Sequence, residues 1–125
     1  MPSDFYIDVP QRVVFSSATG VVVSGDVLDH MERLRSDPNF IPEFNQILDL
    51  RAVTKFQIPS EDIRGFAKRN VFAPTSKRSF LVASESLFGV ARMFDTYRKM
   101  EGEQGIKIVS DMDQARSWVG LSKEQ

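Results

Sequence analysis

Asp49 and Arg51 flank Leu50 at the end of an apolar run, Ile47-Leu48. On a strand that spacing sends both side chains to one face. There they could sit at the mouth of a cleft, Arg51 gripping a carboxylate or phosphate through its forked donors, or they could simply pair with each other. Ser84-Glu85-Ser86 precedes a helical pattern. Its serines could cap that helix, or the free N–H groups behind them could hold an anion. Ser60, followed by Glu61 and Asp62, stands where a helix should start and reads as its N-cap. Arg92 lies between Phe88 and Phe94 on a stretch with little other charge. It either lines a pocket, reaches a partner, or lays its stem across the rings. Asp49 and Glu85, at the ends of adjacent strands, are a carboxylate pair able to do acid–base work only if they face each other.

Other chemistry is excluded by what the chain lacks. Its 125 residues include one His and no Cys, which removes thiol nucleophiles, thiolate zinc sites, redox pairs and any two-His metal set. No metal or other cofactor is expected. A Ser-His-Asp mechanism would have to run through His30, which falls among Asp29, Glu32 and Arg33 on the polar side of a helix and reads as a surface histidine. Gly20 to Gly25 mimics the opening of a phosphate loop, but Asp26 and Val27 stand where Lys and Ser/Thr are required. Asp111-Met112-Asp113 starts like a calcium loop, but Arg116 replaces the glycine at its sixth position.

The elements that must position these residues are legible in the periodicity. Phe5–Val9 and Arg12–Ala18 are rich in β-branched and aromatic residues and read as a hairpin broken at Pro10-Gln11. Val27, Leu28, Met31 and Leu34 recur at helical spacing behind a cap at Ser24 or Asp26. Strands are predicted over Gln46–Arg51, Arg78–Ala83 and Ile106–Val109. Helices are predicted from Ser60, from Ser86 to Met100, and from Ser110 or Asp111. The order β, β, α, β, α, β, α, β, α predicts an α/β fold: a mostly parallel central sheet of about five strands, opened by an antiparallel hairpin and packed with about four helices. Ligand-competent groups are then expected at the carboxyl ends of the strands: Asp49–Arg51, Ser84–Ser86 and Ser110-Asp111.

Length and charge narrow the role. A chain of 125 residues fits one domain spanning 1–125, able to bury roughly two-thirds of its unfolded surface without disulfide or metal. No run approaches the ~20 apolar residues of a membrane helix, so no membrane span is expected. The 16 Lys+Arg and 17 Asp+Glu are unevenly spread. Residues 1–50 carry three basic and eight acidic side chains, residues 51–99 ten and four, and residues 100–125 three and five. The basic middle is either an anion-binding or partner face, or the solvated sides of two helices. Without an overall basic excess, nucleic acid is not an expected partner.

From Ile47-Leu48-Asp49-Leu50-Arg51-Ala52-Val53 to Ser60-Glu61-Asp62-Ile63, the chain resembles the SpoIIAA-like family, related to STAS and SEC14 domains. Asp37-Pro38-Asn39-Phe40, the stretch Phe88 to Phe94 and the stretch Asp113 to Val119 agree in order and spacing, so the likeness covers nearly the whole chain. It implies a four- or five-stranded sheet with packed helices, in bacterial cytoplasmic proteins mostly without an assigned activity. In STAS antagonists of anti-sigma factors, the serine of an Asp-Ser-Ser-Gly turn at a helix start is phosphorylated. Ser60 is its positional counterpart, but this chain reads Gln57-Ile58-Pro59-Ser60-Glu61, and Glu61 and Asp62 would repel a phosphate.

The first expectation is therefore a non-catalytic cytoplasmic module acting through protein contacts, as a homodimer and with another protein partner. Asp49, Arg51, Ser60, Ser84, Ser86 and Arg92 are its candidate binding residues. The alternative is a carrier or sensor of a small amphipathic, lipid-like ligand held between the sheet and the Phe88–Met100 helix, where some of the ten Phe could line a pocket. An enzyme built on carboxylates such as Asp49 and Glu85 comes third.

Overall fold

Val13, Ile47, Leu81 and Val109 pack on one face of a sheet, while Val14, Leu48, Phe80 and Ile108 pack on the other. This is the period-two alternation that buries both sides of a strand layer. The computed structural model describes residues 3–121. In order, the elements are β1 (Ser3–Asp8), β2 (Val13–Val23), α1 (Ser24–Arg35), β3 (Asn45–Gln57), α2 (Ser60–Ala67), β4 (Arg78–Leu81), α3 (Glu85–Met100), β5 (Ile106–Val109) and α4 (Met112–Trp118). The sheet order is β1-β2-β3-β4-β5, with β1 antiparallel to β2 and every later pair parallel. The predicted α/β architecture, its hairpin and its four helices are all present.

The topology decides where the helices go. Three successive crossovers, β2-α1-β3, β3-α2-β4 and β4-α3-β5, all advance the same way across the sheet. Right-handed connections of that kind stack their helices on one face. Val27 of α1 and Leu87, Ala91 and Phe94 of α3 accordingly share a cluster with Leu48 and Phe80, and α4 docks alone on the opposite face through Met112, Ala115 and Trp118. Strand order never reverses, so the sheet has no switch-point crevice.

Two strands run past their expected ends. Sequence periodicity places the end of β2 at Ala18 and that of β3 at Arg51, but the pair continues through two register shifts to Val23 and Gln57. Each strand supplies the other's hydrogen bonds beyond the last residues paired with β1 and β4, Ala18 and Asp49. The capping pattern also differs. The Asp26 carboxylate accepts the Val23 N–H at 2.9 Å, while the Ser24 hydroxyl donates to Asp62 of α2 at 2.7 Å, tying the starts of the two helices together. Pro59, not Ser60, is the N-cap of α2, as suits a ring with no N–H to satisfy.

Candidate functional site

The layer between the sheet and α1, α2 and α3 contains an apolar cavity of about 140 Å³. Its walls are aliphatic and aromatic side chains of five elements, among them Met31 of α1, Leu48 of β3, Ile63 and Phe66 of α2, Phe80 of β4 and Phe94 of α3. A smaller cavity of about 100 Å³ shares Val27, His30, Leu48, Leu50 and Phe56 with it. Interiors normally close-pack to crystal-like density, so a void of this size under three helices is a site to explain.

Three polar side chains line the larger cavity: Gln46, Arg78 and His30. Gln46 and Arg78 are paired neighbours on β3 and β4. Both are buried. The Gln46 amide donates to the Ser16 hydroxyl at 3.0 Å, and its carbonyl accepts the Arg78 Nε–H at 3.0 Å. Arg78 Nη1 donates to Glu103 at 3.1 Å. Phe72, Phe80 and Phe94 surround the guanidinium, with ring centroids 4.5, 5.3 and 5.8 Å from its carbon. Burial pulls the Arg78 pKa down to about 10, Glu103 opposing the shift and Arg98 adding to it, so the group is still charged at neutral pH.

Glu103 is fully buried and shared. Its Oε1 also accepts the Arg98 Nε–H at 2.6 Å. Arg98 is 1% exposed and donates through Nη1 to the Ala67 carbonyl at 2.9 Å and to Asn70 at 3.0 Å. A cation is thereby fixed at the C-terminal carbonyls of α2, where the helix dipole favours it. The buried cluster holds two guanidinium groups and one carboxylate.

His30 overturns its reading as a surface histidine. Phe5 meets its ring edge-on at 5.6 Å, and neither ring nitrogen has a hydrogen-bond partner or solvent contact. Burial, reinforced by the Arg33 charge, lowers its pKa to about 4, so the imidazole is neutral at pH 7.

The residues singled out in the sequence lie elsewhere. Asp49 and Arg51 are brought together on the α4 side of the sheet in a forked pair at 3.0 and 2.9 Å, and the Arg51 hydrogen bonds hold the Asp49 carboxyl below its ordinary range. With Ser17 and Thr19 they line an open surface depression. Ser84 caps α3 by accepting the Leu87 N–H at 3.2 Å, and its hydroxyl lies 3.3 Å from that of Ser86. Ser60 and Arg92 are exposed, on α2 and α3. None of the six lines the large cavity. Two of the cavity's polar groups, Gln46 and Arg78, stand near the amino ends of β3 and β4, opposite to the expected carboxyl ends. A signal for them did exist. Gln46 precedes Leu48 and Leu50, and Arg78 precedes Phe80 and Val82, each in phase with the core face.

A singly wound five-stranded sheet with three helices on one face and one on the other is a SpoIIAA-like fold. The chain is similar to an uncharacterized protein of the DUF3478 family, with a SpoIIAA-like fold, from Shewanella loihica PV-4. That likeness has a TM-score of 0.61 at 15% sequence identity and covers 94% of this chain and 93% of the other. No family profile and no curated protein sequence matches the chain.

Proposed function

We propose that this chain is a non-catalytic binding module that carries or senses a small amphipathic ligand in the cavity between the sheet and α1, α2 and α3. One observation carries the reading: an apolar cavity of about 140 Å³ with three polar side chains, Gln46, Arg78 and His30, in its lining. That combination is the usual makeup of a small-molecule site, in which apolar walls supply burial and a few polar groups fix orientation. A cavity lined by Leu, Ile and Phe at about this volume accepts a benzene-sized guest. A bacterial cytoplasmic setting belongs to the same proposal and follows from the family resemblance. Native mass spectrometry of gently purified protein tests it. A retained small-molecule mass, or uptake of added toluene, is expected; protein that neither retains nor accepts such a guest contradicts the reading.

A second reading, contact between two copies, has its own support. On the α4 side of the sheet, Tyr6 of the edge strand β1 is 64% exposed and stacks on Phe15 at 6.2 Å. The neighbouring Asp49–Arg51 pair would supply a polar rim to such a contact. Sedimentation of the wild type and of Tyr6→Lys tests this reading. A dimer that the substitution dissociates supports it, and a wild-type monomer rules it out.

A further inference from the structure

The charge balance at the inner end of the cavity points to the chemistry of its guest. Arg78 and Arg98 share the single carboxylate of Glu103, and each lies within 3.1 Å of its Oε1. Asp95, the buried acid of α3, pairs with the half-exposed Lys99 at 3.3 Å and not with either guanidinium. The Arg78–Glu103–Arg98 cluster by itself carries one positive charge, and Arg98, whose Nε and Nη1 make four contacts while its Nη2 has no partner, does not line the cavity, so Arg78 is the cation that faces the guest space.

Arg78 commits Nε to Gln46 and Nη1 to Glu103; among the described residues its Nη2 has no acceptor. The three surrounding rings stabilise the cation through their faces but offer that N–H group no lone pair. His30 adds two unpartnered ring nitrogens to the lining of the same cavity. A cation with one N–H group not bonded to the described residues and an imidazole with two unpartnered nitrogens, in one otherwise apolar space, are what a guest with one anionic acceptor group would complete.

Resting on the ligand-carrier reading above, we infer that the cavity takes a small monocarboxylate whose apolar ring or branched chain fills the space under α1, α2 and α3 while its carboxylate pairs with Arg78. The volume limits the guest to about six to ten non-hydrogen atoms. A phosphate monoester fits less well: its second charge and third oxygen would have only His30 left to meet them among the lining groups.

Calorimetric titration of the intact protein with benzoate, benzamide, toluene and benzylamine separates this inference from the reading beneath it. Benzoate is expected to bind at least about tenfold more tightly than the isosteric benzamide, the difference a charged hydrogen bond typically makes. Benzylamine is expected not to bind. In Arg78→Met the preference for benzoate over benzamide should vanish while toluene still binds; the wild-type series decides the matter even if that variant does not fold. Benzamide or benzylamine binding as well as benzoate would overturn the carboxylate assignment and leave the carrier reading standing. Failure of all four to bind would remove both.

Discussion

Arg98 and Glu103, five residues apart across the turn that ends α3, form a fully buried ion pair at 2.6 Å, and the same Glu103 oxygen receives Arg78 from β4 at 3.1 Å. One carboxylate thus joins the end of α3, the start of β4 and, through Arg98, the last carbonyls of α2. These are the pieces that frame the cavity's polar end.

Removing one member of a buried pair strands the other, at a typical cost of about 3–5 kcal/mol. Arg98→Met should therefore destabilise the fold by about 3 kcal/mol or more in urea unfolding. Arg92→Met, on the exposed side of the same helix, should stay within about 0.5 kcal/mol of wild type. Equal effects from the two substitutions would contradict the structural role of Arg98.

His30 makes stability depend on pH in a defined window. Its folded pKa of about 4 lies below the ordinary 6.5, so between those values the unfolded chain binds a proton that the folded chain does not. Stability then falls as pH drops from 6.5 toward 4, by as much as about 3 kcal/mol, and is independent of this group above the window. Urea unfolding of the wild type and of His30→Leu at pH 7 and pH 4.5 checks this. The variant should lose less stability on acidification; identical losses would mean that His30 is not the buried neutral group.

Two glycines should respond in opposite directions to alanine. A Cβ on Gly105 would collide with the Ser76 backbone carbonyl, while the Gly105 carbonyl accepts the Arg78 N–H and the Trp118 indole N–H, both at 2.8 Å. Gly105→Ala should cost about 1–3 kcal/mol by overpacking. Gly89, within α3 and with open space around it, should gain about 0.5–1 kcal/mol as Ala. Thermal unfolding of both variants measures the contrast.

Periodicity made the architecture legible because strands and helices bury their stripes at fixed spacing: Leu87, Ala91 and Phe94 pack where a helical repeat puts them. The site was far less legible. Residue chemistry drew attention to Asp49 and Arg51, which satisfy each other on the opposite face, whereas the cavity depends on Gln46, Arg78 and His30. Arg98 belongs to the basic middle of the chain, for which neither a partner face nor a solvated helix side predicts burial, yet it continues the buried stripe after Ala91 and Asp95. A charged residue in phase with a core stripe can be buried only if a counter-charge meets it. Glu103, beyond the end of the helix, supplies that charge through tertiary contact, which sequence spacing alone does not encode. The proposed cavity lies away from the strand ends for a topological reason: in a sheet that never reverses its order, helices pile onto one face and space opens beneath them.

The central claim, that the space under the three helices is a binding site, is tested most directly by methyl NMR of the isotopically labelled protein titrated with toluene. The account predicts saturable shifts at Leu48, Leu50, Ile58 and Ile63, which line the cavity, with Leu81 and Val109 on the α4 face unmoved. An absence of saturable shifts, or shifts centred on the α4 face, would contradict it.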